Sequence, residues 1–311
     1  MENFFLTGLI AAPFTPMNPD GTINLDMISS YADLLIEQGV SGAFICGTTG
    51  EGAAMSISEK KAVIEEWVHC SKGRLKIIAH IGGLCQSESI ELAAHSVKAG
   101  VDAVAAMSPY FYKPLSAEDL TLFFIPVAAE ANGIPFYYYH IPSMTGVDLP
   151  VYEILKVAEK MIPNFAGVKF THSNMMELQQ CMKISEERYE ILFGSDEILL
   201  CGLSFGVTSA VGSTYNYMAS IYLDLIEAFN SNDFTTARAN QLFSVEVVEV
   251  LNRNGGPLSA GKAIMEMIGI DCGPCRLPIR KMTKAEKASL RQELLNIGFF
   301  EESKHEFVEA R

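Results

Sequence analysis

The sequence predicts an α/β protein, a closed (β/α)8 TIM barrel with a C-terminal helical extension. Eight short runs rich in β-branched or aromatic residues alternate with longer segments of helical period. The runs are apolar on both faces, as a parallel sheet covered by helices requires. A third observation lowers the competing architecture, a doubly wound open sheet: no G-x-G-x-x-G turn follows the first run.

Taken in order, the eight runs are "GLIAAPF", "GAFICG", "KIIAHIG", "DAVAAMS", "PFYYYHI", "AGVKF", "EILFGS" and "TSAVGS". The segments between them, such as "LDMISSYADLLIEQG" and "SESIELAAHSVKAG", carry apolar residues at i, i+3, i+4 and i+7. Several end on a glycine suited to a left-handed helix terminus: Gly39, Gly73 and Gly100. The alternation stops near residue 230. "FTTARANQLFSVEVVEVLNR", "PLSAGKAIMEMIGI" and "TKAEKASLRQELLNIGF" then read as helices packed on the barrel. The expected division is a catalytic barrel over residues 1–229 and a helical extension over 230–311, with no linker-like stretch between them.

With 49% hydrophobic and 19% charged residues in a chain of 311, a folded chain with a substantial core is expected. The formal net charge of −14 argues against nucleic acid and anionic membrane as partners. The opening stretch "MENFFLTGLIAAPFTP" lacks a basic start, and Pro13 and Pro16 cut its apolar run short, so it reads as a first strand and not as a signal peptide. No apolar run approaches transmembrane length. Seven cysteines, an odd number set mostly in apolar segments, fit reduced thiols in a cytoplasmic setting.

In a barrel of this kind the chemistry sits at the C-terminal strand ends. Those ends supply Thr48, Thr49 and Glu51; Tyr139 and His140; Lys169 and Thr171; Gly194, Ser195, Asp196 and Glu197; and Ser213, Thr214 and Tyr215. One lysine among hydroxyls and a tyrosine suggests covalent imine chemistry. A buried lysine loses its proton more easily and can then attack a ketone. Tyrosine and threonine hydroxyls can relay protons, and the "GTTG" turn can hold a carboxylate through N–H and hydroxyl groups. No metal or other cofactor is needed. Each signal has an ordinary alternative: Lys169 could snorkel to water, Tyr139 could be a core aromatic, and "GTTGE" could be a loop leading into a helix.

Together these motifs, in order and at their spacing, resemble the pyruvate-dependent class I aldolase family that contains N-acetylneuraminate lyase and dihydrodipicolinate synthase. The resemblance runs from "GLIAAPFTP" through "GTTGE", "YYYHIP", "GVKFT" and "FGSDE" to "AVGSTYNY". It implies that Lys169 forms a Schiff base with pyruvate, that Tyr139 shuttles protons, and that Thr48 and Thr49 hold the pyruvate carboxylate. It further implies a homotetramer acting on a small-molecule substrate. Synthases of the family carry an arginine after the fifth-strand tyrosine, where this chain has Met144, and a tyrosine where "SPYFY" places Phe111. Methionine cannot pair with a carboxylate. Resemblance to the lyase branch instead assigns Thr171, Gly194, Asp196, Glu197 and Ser213 to the polyol and amide of a sialic acid. The implied reaction is retro-aldol cleavage of N-acetylneuraminate to N-acetylmannosamine and pyruvate. Another 2-keto-acid aldolase, or a non-catalytic sugar-acid binder on the same barrel, are the alternatives.

Three further signals are set aside. "CGPC", Cys272 to Cys275, has the spacing of a redox dithiol but lies in a late connection between helices. "GPLSAGKA" lacks the final hydroxyl of a phosphate-binding loop and follows a helical segment. The six histidines show no H-x-x-x-H spacing, and strand alternation turns His140 and His172 away from the catalytic motifs, toward structural roles.

Overall fold

The computed structural model describes residues 6–185 and 188–303. The first five residues of the opening stretch and the last eight of the extension lie outside that range. Eight parallel strands close into a barrel in sequence order. They are β1 (Gly8–Ala11), β2 (Gly42–Ile45), β3 (Lys76–His80), β4 (Ala103–Met107), β5 (Phe136–His140), β6 (Phe165–Phe170), β7 (Glu190–Phe193) and β8 (Ser209–Gly212). Each coincides with one of the eight runs, and β1 pairs with β8 to complete the ring.

The covering helices are α1 (Met27–Glu37), α2 (Ile57–Ser71), α3 (Gln86–Ala99), α4 (Ala117–Glu130), the single turn α5 (Pro142–Thr145), α6 (Val151–Met161), α7 (Met175–Ser185), α8 (Leu199–Ser204) and α9 (Ala219–Asn230). Beyond them follow α10 (Phe234–Arg253), α11 (Gly256–Met267), α12 (Lys284–Asn296) and the short α13 (Phe299–Glu302). Gly39, Gly73 and Gly100 all adopt the positive φ expected past helix ends. Ser56 with Glu59 and Thr283 with Glu286 form reciprocal capping boxes at the starts of α2 and α12. No described helix is long and apolar enough to cross a membrane.

Strand alternation divides the apolar residues into two cores. The barrel interior holds Ile10, Phe44, Ile78, Ala105, Tyr137, Tyr139, Leu192 and Val211. The larger core, between strands and helices, takes the alternate residues, among them Tyr138, Val168, Phe170 and Phe193. At the barrel floor Glu190 accepts hydrogen bonds from the Leu6 N–H and the Tyr137 hydroxyl, joining the start of the chain to β5 and β7.

One irregularity sets the register of the site. Phe136 pairs with Phe165 but Tyr137 pairs with Gly167, so Ala166 is an extra residue on β6. The bulge brings Lys169 opposite Tyr139; regular pairing from Phe136 would have put Val168 there. Gly167 makes it feasible: its φ is 150°, and a Cβ would lie 2.0 Å from the Glu190 carbonyl oxygen.

Candidate active site

The site is built from adjacent strand ends. On β5, "FYYYH", period-two alternation sends Tyr137 and Tyr139 inward and Tyr138 outward. On β6 it sends Lys169 inward between outward-facing Val168 and Phe170. Lys169 is only 4% exposed. Its Nζ stands 4.0 Å from the centre of the Phe44 ring and 4.1 Å from that of Tyr139. It makes no hydrogen bond or ion pair to any described residue. Burial is the main cause that brings its pKa down to about 7, and Asp196 opposes that shift. The amine is therefore held near the balance point between ammonium and nucleophile.

Tyr139 packs edge-on against Phe44 and His80, with ring centres 5.3 and 5.6 Å away. Its hydroxyl lies 3.3 Å from Thr48 Oγ1. Burial pushes the phenol up to about 12, with Thr48 pulling the other way. The phenol thus stays protonated at neutral pH and is available as a proton donor.

Thr48 and Thr49 lie half-buried in the turn after β2. That turn is held from behind. Glu51 adopts a left-handed φ of 54°, rare for a non-glycine residue. Its carboxylate is ion-paired at 2.7 Å with Lys262 of α11, both side chains almost wholly buried. Glu51 also accepts from the Arg276 N–H at 2.7 Å, and Lys262 donates to the Thr15 and Pro274 carbonyls. The "GPLSAGKA" lysine is therefore a clamp on the "GTTGE" turn. Beside Thr48 a cavity of about 300 Å³ runs under residues 276–279, with His80, Met107, Tyr110 and Met144 among its walls.

Thr171 follows β6, with its N–H on the His140 carbonyl at 2.9 Å and its hydroxyl, like that of Thr48, opposing the rise of the Tyr139 phenol. It rests against Gly194, where a Cβ would meet Thr171 Oγ1 at 1.9 Å. Asp196, 7% exposed, accepts through Oδ2 from the Thr214 N–H at 2.8 Å and hydroxyl at 2.6 Å. Burial raises its pKa while the Thr214 hydrogen bonds lower it. Glu197 is exposed as a residue, but its carboxyl is partly desolvated, and that desolvation followed by the Asp196 charge raises its pKa. Ser213 directly follows β8. Thr49, Glu197 and Ser213 share the strand-end face but make no hydrogen bond to Lys169 or Tyr139.

Sequence reasoning missed Phe44 and His80, which wall the lysine and tyrosine. His80 is fully buried, with Nδ1 on the Cys46 carbonyl at 3.2 Å and Nε2 unpartnered among the described residues. Its signal was available: a polar residue on the inward face of an otherwise apolar third run. Cys272 and Cys275 are unpaired thiols in the connection between α11 and α12.

Fold and site first define a class: a (β/α)8 barrel carrying a desolvated lysine beside a tyrosine hydroxyl at its strand ends, the architecture of a carbon–carbon lyase of the aldolase kind. The chain belongs to the dihydrodipicolinate synthetase family, whose model matches residues 5–297. It is 41% identical to N-acetylneuraminate lyase of Rattus norvegicus over 94% of this chain and 93% of that protein. With the Sus scrofa N-acetylneuraminate lyase it shares 42% identity over 98% of each. Among solved structures, Proteus mirabilis N-acetylneuraminate lyase superposes with a TM-score of 0.92 at 40% identity, covering 94% of this chain and 99% of that one. Dihydrodipicolinate synthase from Aquifex aeolicus gives 0.86 at 29% identity, covering 94% and 98%.

Proposed function

We propose that the protein is an N-acetylneuraminate lyase, cleaving N-acetylneuraminate to N-acetylmannosamine and pyruvate through a Schiff base on Lys169. The observation that carries this reading is the isolated Lys169 amine, packed on two rings beside a protonated phenol. Neutral Nζ attacks the C2 ketone of the open-chain sugar, and loss of water leaves a protonated imine. The proton of the C4 hydroxyl is relayed through the Tyr139 hydroxyl, which passes its own proton on as it accepts this one, or goes to the substrate carboxylate. The C3–C4 electron pair moves into the imine, releasing the aldehyde N-acetylmannosamine and leaving an enamine. Protonation at C3 and addition of water then release pyruvate and free Lys169. Side chains and the substrate carboxylate together serve the proton transfers, so the reading calls for no cofactor.

Thr48 and Thr49 hold the carboxylate in this reading. Thr171, Gly194, Asp196, Glu197 and Ser213 receive the polyol and amide, where neutral and anionic acceptors suit hydroxyl donors. Met144, 62% exposed on α5, offers nothing to the second carboxylate that a synthase substrate would bring. The identity and coverage shared with the named lyases support the same branch. Seven unpaired thiols suit a cytoplasmic setting, and the exposed apolar residues Phe111, Tyr112 and Leu115 suit burial in a homotetramer.

Borohydride reduction in the presence of pyruvate tests the mechanism. The peptide containing Lys169 gains the mass of a reduced pyruvyl adduct, and Lys169→Ala gives none. Absence of an adduct in the unsubstituted protein would overturn the imine. Pyruvate release from a panel of sugar acids tests the substrate; faster turnover of an acid other than N-acetylneuraminate would reassign it.

A further inference from the structure

We propose that His140, His172 and Glu177 form a binding site for a divalent transition-metal ion of the zinc type, on the outer side of β5 and β6, away from Lys169. The proposal is independent of the lyase reading. Each of the three residues offers one ligand atom, an imidazole nitrogen or a carboxylate oxygen, and these atoms all lie within 4.8 Å of one another. Two imidazoles and one carboxylate make a set of three protein ligands that leaves a fourth position open.

Two of these donors have no other occupation. His140 Nε2 and His172 Nδ1 are both buried without a hydrogen-bond partner among the described residues, and His140 is completely enclosed. Buried polar atoms are rarely left so, and two facing one carboxylate call for an occupant. Their surroundings prepare them as ligands. His140 Nδ1 lies 3.1 Å from the Tyr138 hydroxyl, so that nitrogen can carry the proton and leave the Nε2 lone pair free. Its ring stacks on Phe170, which fixes its direction. Glu177 Oε1 is occupied by the Val151 N–H at 2.5 Å, and Oε2 stands 3.9 Å from His172 Nδ1.

The three residues come from three places: the last residue of β5, the loop after β6, and the first turn of α7. A tetrahedral ion with ligand bonds near 2 Å needs donors about 3.3 Å apart. The remaining gap is closed from the loop, because the His172 side chain is 25% exposed whereas that of Glu177 is 8% exposed. The same opening admits the ion and leaves room for a water as fourth ligand. Imidazole and carboxylate together favour Zn²⁺ or Co²⁺ over Ca²⁺ and Mg²⁺. Occupancy would tie β5 to the loop that carries Thr171, whose N–H already bonds the His140 carbonyl.

The test is a titration of the chelator-treated, intact protein with Co²⁺, read through its visible ligand-field bands. One equivalent is expected to bind, and Zn²⁺ to displace it and bleach the bands. His172→Gln should weaken Co²⁺ binding at least tenfold, and so should Glu177→Gln, whose amide oxygen can still accept from Val151. Far-ultraviolet circular dichroism of both variants should match the parent. Absence of saturable bands, unchanged binding in both variants, or bands accompanied by sulfur-to-cobalt charge transfer, which would assign the ion to cysteines, would each overturn the site.

Discussion

Lys169 carries a stability cost that follows from its burial. Its folded-state pKa of about 7 lies below the ordinary lysine value of 10.5. Between those values the unfolded chain holds a proton that the folded chain lacks. Stability therefore rises with pH across that window and is flat below it. At neutral pH the burden is on the order of 4 kcal/mol. Lys169→Met, similar in volume and uncharged, should raise the midpoint of thermal unfolding by several degrees while abolishing turnover; an unchanged or lower midpoint would show that the amine is not desolvated. The same titration predicts that kcat/KM climbs as pH passes through about 7. Gly194→Ala puts a methyl group into the Thr171 hydroxyl. It should raise KM for the sugar acid more than tenfold yet leave borohydride trapping of pyruvate intact, a split that steady-state kinetics can read. Lys169, Tyr139 and the threonine turn were legible in the sequence because each sits within a short ordered motif. Phe44 was not, because its contacts with Lys169 and Tyr139 join strands far apart in the chain.

At the scale of elements, the turn after β2 depends on α11. Glu51 and Lys262 are 211 positions apart and form an almost fully buried pair. Removing one partner strands the other charge, at about 3–5 kcal/mol, whereas replacing both with apolar residues can be nearly neutral. Glu51→Leu and Lys262→Met should each destabilise strongly, and the double substitution should recover most of the loss in chemical denaturation. Additive losses would mean that the pair does not act as a unit. The backbone adds its own requirement: a Cβ at Gly52 would lie 1.9 Å from the Cys46 carbonyl oxygen. Sequence patterning located the eight runs and the later helices, since hydrophobic period reports local structure directly. It could not show that α11 supports the threonine turn, nor that a bulge at Ala166 aligns Lys169 with Tyr139. Both depend on register between segments that periodicity treats separately.

At the scale of the molecule, Phe111, Tyr112 and Leu115 stand 70%, 86% and 88% exposed in the connection between β4 and α4. A patch of that kind marks an interaction surface. Sedimentation velocity should find a tetramer, and Phe111→Ser with Leu115→Ser should shift the distribution toward smaller species; a monomeric parent would refute the assembly. The closure of the barrel has a different consequence. β1 ends at Ala11, and its partner β8 spans Ser209–Gly212. A ribosome working at about 5–20 residues per second makes the two strands roughly ten to forty seconds apart. Throughout that interval one edge of β1 has no strand to pair with, and for most of it, until Glu190 is made, the Leu6 contact cannot form either. The emerging chain therefore exposes an apolar edge of the kind that chaperones cover, until the last strand leaves the exit tunnel.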